Sequence, residues 1–168
     1  MTIALVMGVS GCGKTTIARG LADRMGWQFQ EGDALHPAAN VAKMVGGMPL
    51  TDDDRAPWLA AIAVVLKDWD RTGVSGVVTC SALKRAYRAK LLAGLPSARL
   101  VYLAGDQTMI AARLAARKDH FMPPGLLASQ FTALEPPGLD ERPLIVAIDQ
   151  APDVMVAKLV AAFSSSAI

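Results

Sequence analysis

The sequence has little of several features on which other classes of protein depend. It holds only 2 cysteines in 168 residues, Cys12 and Cys80, and their spacing matches neither a CxxC pair nor a metal-ligand pattern. Its 17 basic and 15 acidic residues leave a net charge of only +2, which gives no argument for nucleic-acid binding. No apolar run approaches the roughly 20 residues of a membrane span, and no secretory signal is visible. We therefore expect a cytoplasmic protein with free thiols that binds neither nucleic acid nor membrane.

A glycine-rich run at residues 8–15 is the most informative feature that is present. It follows a short apolar segment and precedes a helical pattern, and its glycines allow successive backbone N–H groups to converge on phosphate oxygens. Lys14 is placed to reach the β- and γ-phosphates of a nucleotide, and the Thr15 hydroxyl is placed to ligate Mg²⁺. This spacing predicts a loop that binds ATP and Mg²⁺, formed by Gly8, Val9, Ser10, Gly11, Cys12, Gly13, Lys14, Thr15 and Thr16.

Apolar, β-rich segments alternate with helical patterns along the chain, which predicts an α/β fold with a parallel sheet covered by helices on both faces. Strands are expected near residues 3–7, 27–31, 74–80, 99–104 and 143–149. Helices fit residues 14–25, 37–46, 54–72, 83–94, 106–118, 124–134 and 152–163. No linker rich in proline, glycine or serine divides residues 1–168, so a single domain is expected. Ligands of such sheets bind beyond the carboxyl ends of the strands.

The segment after the second predicted strand carries Asp33 and His36 beside the expected γ-phosphate. A carboxylate at residue 33 could orient an attacking hydroxyl and accept its proton, or hold Mg²⁺ through water. It could instead cap the next helix, which is a frequent role of aspartate. Position alone makes Asp33 the leading catalytic candidate. For His36, a substrate contact and a packing role both stay open.

Basic residues later in the chain are candidates for binding an anionic acceptor. Arg55 lies at the start of a long predicted helix, and a guanidinium can grip a carboxylate with two parallel hydrogen bonds. Trp58, on the same helix, is expected in the core. Lys84 and Arg88 are four residues apart on the helix after the third strand, so both could point into one cleft. A solvated helix face is the alternative, but together with Asp33 these residues favour anion binding.

A second basic group follows the fourth strand. Arg113 and Arg117 lie one helical turn apart and lead to His120 and two prolines. Mobile arginines over a phosphate loop are typical of the lid of small kinases, which closes on ATP and neutralises charge during phosphoryl transfer. We expect such a lid at about residues 113–125, with Arg117 as a catalytic residue. An amphipathic surface helix is the alternative.

Several blocks of residues give the sequence a resemblance to a known family. They include Gly32-Asp33, Leu35-His36-Pro37, Asp54-Arg55, Pro57-Trp58-Leu59, Cys80-Ser81-Ala82-Leu83-Lys84, Tyr87-Arg88, Arg117-Lys118, His120-Phe121 and Ser129-Gln130-Phe131. On these motifs, which span most of the chain, the sequence resembles the gluconokinases. Thr15 stands where many relatives carry serine, and threonine keeps the hydroxyl that binds Mg²⁺.

The resemblance implies a three-layer P-loop NTPase fold, with a five-stranded parallel sheet and a lid, similar to nucleoside monophosphate kinases. It implies transfer of the γ-phosphoryl group of ATP to the 6-hydroxyl of D-gluconate, with the acceptor bound at about residues 33–60. Adenine is then expected near Arg113 and residues 149–152, and a homodimer is expected because relatives are commonly dimers. Acceptor contacts are expected from Asp33, His36, Arg55, Lys84, Arg88, His120 and Gln130.

Two other functions stay open at this point. A P-loop kinase for shikimate or a nucleoside monophosphate would share the loop and lid, although so few aromatic residues, 5% of the chain, give little material for a base pocket. A GTP-dependent switch, or a nucleotide-dependent regulator without turnover, would carry a guanine-reading Asn-Lys-x-Asp segment, which the sequence lacks. It would also carry an acidic end to the third strand, which instead runs into Cys80-Ser81. The motifs favour the gluconate kinase over both.

Overall fold

In the computed structural model, five parallel strands form one sheet in the order β2-β3-β1-β4-β5. The structure describes residues 1–116 and 124–165. The strands are β1 (Ile3–Met7), β2 (Gln28–Gln30), β3 (Gly76–Thr79), β4 (Ala98–Ala104) and β5 (Leu144–Ala147). β1 occupies the centre of the sheet, and every one of its residues is buried.

Helices connect the strands and cover the sheet. They are α1 (Lys14–Met25), α2 (Ala38–Val45), α3 (Asp52–Thr72), α4 (Arg85–Leu92), α5 (Gln107–Ala115), α6 (Pro124–Ala133) and α7 (Pro152–Ser165). Two short 3-10 helices lie at Gly32–Leu35 and Leu139–Glu141. Within the described ranges, no helix combines the length and the apolar character that crossing a membrane requires.

Side chains of the central strand alternate between two apolar cores, as the two-residue period of a strand dictates. Ala4 and Val6 pack in the core that contains residues of α1 and α7. Ile3, Leu5 and Met7 pack in the core that contains residues of α3 and α4. Because helices bury both faces of the inner strands, β1 is a continuous apolar run in the sequence and β3 is nearly one. The edge strand β2, with the sequence Gln-Phe-Gln, is not buried in this way. The predicted α/β fold, with helices on both faces of a five-stranded parallel sheet, is confirmed.

The ends of some elements differ from the predicted ones. α3 begins at Asp52 rather than at residue 54, because Thr51 and Asp54 form a reciprocal capping box. Hydrogen bonds from Lys43, which donates at 2.7 Å, and from Thr51 lower the pKa of Asp54 to about 2, so this carboxylate serves the helix start. β2 ends at Gln30, one residue before the predicted end, which leaves Glu31 in the loop beyond the strand.

Both cysteines are free and buried, as expected for thiols without a partner in sequence. Burial raises the pKa of the Cys80 thiol to about 12, which keeps it protonated and unreactive near neutral pH.

Candidate active site

The loop between β1 and α1 combines glycines at positive φ with apolar side chains that anchor it. Gly11 and Gly13 have φ of 81° and 97°, values that other residues rarely adopt. A Cβ on Gly11 would collide with the side chain of Leu114, whereas one on Gly13 would meet nothing within 4 Å. Val9 and Cys12 are buried in the core. The loop therefore offers backbone groups, rather than these two side chains, to the space before α1.

A cavity of about 210 Å³ lies against this loop and is called the loop cavity below. Lys14 Nζ donates hydrogen bonds of 3.1 and 3.0 Å to the carbonyl oxygens of Gly8 and Val9, so the ammonium group is held at the loop. This cation and the positive end of α1 make the cavity suitable for phosphate groups. Its walls are formed by Ser10, Gly11, Gly13, Lys14, Thr15, Thr16 and Asp33.

Glu31 connects the loop to the neighbouring strands. Its Oε2 accepts a hydrogen bond of 2.6 Å from Thr15 Oγ1, and its Oε1 accepts one from Thr79 Oγ1. Because Thr15 donates its proton to Glu31, the lone pairs of the Thr15 oxygen stay available for a cation. Glu31 was not among the predicted site residues, because the predicted strand over residues 27–31 includes it. The signal that could have found it is an acidic residue at the carboxyl end of a parallel strand.

Asp33 lies in the 3-10 helix Gly32–Leu35, directly beyond β2. The helix α2 has Pro37 at its N-cap and no side-chain cap, so the alternative in which Asp33 caps that helix is wrong. The residue before it is fixed at both backbone groups: Gly32 N donates to Thr79 Oγ1 at 2.9 Å, and Gly32 O accepts from Trp58 Nε1 at 2.8 Å. Asp33 is thereby presented to solvent at a defined position, with its side chain 68% exposed.

A second cavity, of about 340 Å³, is called the large cavity below. It shares Ser10, Lys14 and Asp33 with the loop cavity. Its other walls are formed by His36, Val41, Met44, Val45, Leu50, Arg55, Trp58, Ser81, Leu126 and Gln130. A guanidinium, an imidazole, a hydroxyl and an amide thus converge with apolar side chains, a combination that suits a small polar anion.

His36 forms one wall of the large cavity and stacks on Trp58, with ring centroids 4.1 Å apart and an interplanar angle of 13°. Burial lowers the pKa of His36, while Asp33, whose Oδ1 lies 4.0 Å from Nε2, opposes the shift and Arg55 reinforces it. A neutral imidazole offers one hydrogen-bond donor and one acceptor. Trp58 is 1% exposed, which confirms its predicted place in the core, although its ring also reaches the cavity.

Arg55 lies in the first turns of α3 and lines the large cavity with a side chain that is 17% exposed. Its Nη1 lies 4.0 Å from Asp52 Oδ1. Lys84 donates to both Asp52 oxygens at 2.8 Å, and the Tyr87 hydroxyl donates to Oδ1. The bond to Asp52 raises the pKa of Lys84, and the bonds from Lys84 and Tyr87 lower the pKa of Asp52. Lys84 is therefore engaged by Asp52 and forms no part of the cavity wall.

Arg88 is 1% exposed and does not reach either cavity. Its Nε and Nη2 donate to the Glu141 carboxylate at 2.6 and 2.8 Å, and its Nη1 donates to two backbone carbonyls at 3.1 Å each. The prediction that Lys84 and Arg88 point into one cleft is wrong. Lys84 is the N-cap of α4 and has extended backbone angles, so the helical four-residue spacing does not apply to this pair.

Gln130 and Arg113 each make a hydrogen bond to the backbone of another element. Gln130, on α6, lines the large cavity, and its Oε1 accepts a hydrogen bond of 2.7 Å from Ser10 N. Arg113, on α5, donates from Nη2 to the Ile148 carbonyl, which lies just beyond β5. This contact brings Arg113 beside residues 149–152, where adenine is expected. The predicted residues Arg117 and His120, with most of the predicted lid, lie outside the described residues.

Comparison with known proteins gives matches over nearly the whole chain. The family described as an AAA domain matches residues 3–137. A curated gluconokinase from Gluconobacter oxydans is 50% identical over 161 residues, which cover 96% of this chain and 90% of that protein.

Solved structures give the same result for the fold. The crystal structure of a gluconokinase from Sinorhizobium meliloti matches with a TM-score of 0.85 at 40% identity, covering 99% of this chain and 98% of that chain. An unliganded sugar kinase from a Janibacter species matches with a TM-score of 0.91 at 43% identity, covering 98% and 95%. These similarities extend over the sheet, the loop and the elements that form both cavities.

Proposed function

The chain belongs to the gluconokinase family and to the AAA domain family, and from that premise we propose that it transfers the γ-phosphoryl group of ATP to the 6-hydroxyl of D-gluconate. The observation that carries the proposal is the wall that the two cavities share. Ser10, Lys14 and Asp33 line both the loop cavity and the large cavity. A phosphoryl donor in the first cavity and an acceptor in the second would meet at these three residues.

The residues at this wall have the chemistry that phosphoryl transfer requires. The reaction depends on positioning and on charge neutralisation more than on covalent chemistry. Lys14 and the loop N–H groups would hold the γ-phosphate, and Asp33 would orient the 6-hydroxyl and accept its proton as the new O–P bond forms. The bond between the γ-phosphorus and the bridging oxygen breaks, and ADP leaves with its electron pair. The product is 6-phospho-D-gluconate.

The donor set beside α1 fits a magnesium ion. Mg²⁺ prefers oxygen ligands and is commonly held by one or two protein groups together with the phosphates of the substrate. The oxygen of the Thr15 hydroxyl has lone pairs available for the ion, because the hydroxyl donates its hydrogen bond to Glu31. Bound Mg²⁺ would neutralise charge on the phosphates. Thr15 and Glu31 would hold the ion at the loop.

The large cavity would hold the rest of gluconate, with its carboxylate at Arg55. A planar guanidinium binds a carboxylate through two parallel hydrogen bonds, which a lysine cannot reproduce. The neutral His36 and the amide of Gln130 would serve the sugar hydroxyls. Lys84 and Arg88 have no part in this arrangement, because both are engaged in ion pairs outside the cavity wall.

Further parts of the proposal rest on the sequence and on the family resemblance. They are a lid at about residues 113–125 with Arg117 and His120, adenine near Arg113, a single domain, a cytoplasmic location and a homodimer.

A coupled assay of ADP release tests the substrate class. We expect turnover with D-gluconate, in the presence of ATP and Mg²⁺, to exceed turnover with other aldonic acids, shikimate and nucleoside monophosphates. Turnover with another acceptor alone would keep the kinase and overturn the choice of gluconate. Failure of every acceptor would favour the regulator without turnover.

Substitution of Arg55 tests where the acceptor carboxylate binds. We expect Arg55→Lys to raise the KM for gluconate about tenfold or more, since the paired hydrogen bonds are lost, and to leave the KM for ATP unchanged. Arg71→Lys is the matched control, because Arg71 pairs with Asp68 at the exposed end of the same helix. Unchanged gluconate kinetics in Arg55→Lys would return Arg55 to a structural role at the start of α3.

A further inference from the structure

We propose that Thr79 is a positioning residue, which holds the Glu31 carboxylate against the Thr15 hydroxyl and so sets the metal side of the active site. The inference rests on the proposed function, because it concerns the cation that accompanies ATP. Thr79 is the last residue of β3 and is 1% exposed. It reaches neither cavity, so it would act through Glu31 rather than by touching a substrate.

The hydroxyl of Thr79 both donates and accepts a hydrogen bond. It donates to Glu31 Oε1, and it accepts from Gly32 N at 2.9 Å. The other oxygen of the carboxylate, Oε2, accepts from Thr15 Oγ1 at 2.6 Å. Glu31 is thus clamped between two hydroxyls, one on β3 and one on α1. The clamp directs the Thr15 proton toward Glu31 and leaves the Thr15 lone pairs free for a cation.

The strand register explains why the clamp forms at this residue. Gln30 is paired with Val78 in the parallel β2-β3 ladder. Glu31 follows this pair in the loop beyond β2, and Thr79 follows it as the last residue of β3, so the two side chains lie close enough to be hydrogen-bonded. β3 carries no acidic residue at its end, so the acid comes from the loop that follows β2, and Thr79 holds it in place.

The anchor matters because a glutamate side chain is long and flexible. Fixing its rotamers costs conformational entropy. A buried threonine on an inner strand meets that need, since its own position is set by the sheet. Partners of this kind orient metal ligands elsewhere, and their loss typically lowers metal affinity by about 10- to 100-fold.

Variants of Thr79 in the full-length protein test the proposal. Thr79→Val keeps the shape of the side chain but removes the hydroxyl, and Thr79→Ser keeps the hydroxyl. The first readout is the affinity for Mn²⁺ in the presence of a non-hydrolysable ATP analogue, followed by the electron paramagnetic resonance signal of free Mn²⁺. We expect Thr79→Val to weaken Mn²⁺ binding about tenfold or more and Thr79→Ser to stay near the wild type.

Steady-state kinetics separate this role from a general structural one. Thr79 also holds Gly32, which precedes Asp33, so a defect transmitted by that route would raise the KM for gluconate and spare Mn²⁺ binding. That pattern, or unchanged Mn²⁺ affinity in Thr79→Val, would overturn the proposal. The double variant that combines Thr79→Val with Glu31→Gln should lose no more Mn²⁺ affinity than Glu31→Gln alone, because Thr79 acts through that carboxylate. Additive losses would contradict the proposal.

Two further outcomes are distinguishable from these. If Thr79→Val does not fold, Thr79→Ala removes the same hydroxyl without placing a methyl group beside the carboxylate, and the same loss of Mn²⁺ affinity is expected. If the wild type binds the ATP analogue and Mn²⁺ but does not phosphorylate gluconate, the proposed function fails while the role of Thr79 is still decided by Mn²⁺ affinity.

Discussion

Asp33 stands where the loop cavity and the large cavity join, and its side chain is 68% exposed. We expect Asp33→Asn to lower kcat by about 10²- to 10⁴-fold, because the amide cannot accept the proton of the attacking hydroxyl. The KM for ATP should change little. Steady-state kinetics with both substrates varied will measure this, and Asp53→Asn, on the exposed first turn of α3, is the matched control. A raised KM for ATP with normal kcat would assign Asp33 to nucleotide binding.

His36 gives a prediction for pH dependence. Burial lowers its folded-state pKa below 6.5. As the pH falls, the imidazole is therefore protonated in the unfolded chain before it is protonated in the folded chain. The stability that neutral His36 contributes is therefore present above pH 6.5 and is lost as the pH falls from there toward the lower folded pKa. His36→Phe keeps an aromatic ring against Trp58 but cannot titrate.

Urea unfolding of the wild type and His36→Phe over this pH range will measure the effect. We expect the free energy of unfolding of the wild type to fall relative to that of the variant as the pH drops below 6.5. Parallel pH curves for the two proteins would contradict the prediction.

At the residue scale, the sequence predicts local patterns well and distant pairs poorly. The positions of Lys14 and Thr15 follow from loop spacing, and Asp33 follows from the rule that ligands lie beyond strand ends. The partner of Arg88 could not be predicted, because Glu141 lies 53 residues further along the chain and no periodicity connects them. Glu31 was assigned to the second strand because that strand was predicted to end at residue 31, whereas β2 ends at Gln30.

At the scale of elements, the short 3-10 helix after β2 depends on the glycine with which it begins. A Cβ on Gly32 would lie 1.8 Å from the backbone carbonyl oxygen of Thr79, which belongs to β3 and cannot move aside alone. We expect Gly32→Ala to lower the free energy of unfolding by about 3 kcal/mol or more. It should also lower kcat, because Glu31 and Asp33 flank the displaced residue.

A matched control for this variant lies on α6. A Cβ on Gly125 would meet nothing within 4 Å, so Gly125→Ala should be neutral or stabilise the protein by up to about 1 kcal/mol. Thermal unfolding and steady-state kinetics of both variants will measure the difference. Equal stability of the two variants would show that the strand accommodates the added methyl group.

The strands and the α-helices were predictable from apolar runs and from apolar residues that repeat with a strand or helix period. The 3-10 helices Gly32–Leu35 and Leu139–Glu141 were not predicted, since these two segments show neither pattern. The start of α3 at Asp52 does have a local sequence signal, which is the capping box of Thr51 and Asp54. The apolar pattern of the helix does not contain this signal.

At the scale of the whole molecule, a hydrogen bond and two ion pairs connect the start of α4 to the segment that follows α6. Arg85 N donates to Glu135 at 2.7 Å, the Arg85 side chain pairs with Asp140, and Arg88 pairs with Glu141. The first two links are exposed, whereas the Arg88 side chain is 1% exposed. Loss of the pair between Arg88 and Glu141 would therefore leave the buried Arg88 charge without a partner and without access to water.

We expect Glu141→Gln to lower the free energy of unfolding by about 3–5 kcal/mol, because Arg88 would stay buried without its counter-charge. Asp68→Asn breaks the exposed pair with Arg71 and should cost less than about 1 kcal/mol. Urea unfolding of both variants will measure these values. A small effect in Glu141→Gln would mean that the carbonyl oxygens of Ala82 and Leu83 suffice for the guanidinium.

Trp58 belongs to the core and to the large cavity at once: it is 1% exposed, stacks on His36 and donates to Gly32 O. Truncating such a residue costs about 3–5 kcal/mol of stability. The residues around the large cavity therefore differ in how much stability is lost when they are substituted. Val41 and Val45, which are 44% and 84% exposed on α2, can vary at little cost in folding. New acceptor preferences should arise on that helix before they arise at the floor formed by Trp58.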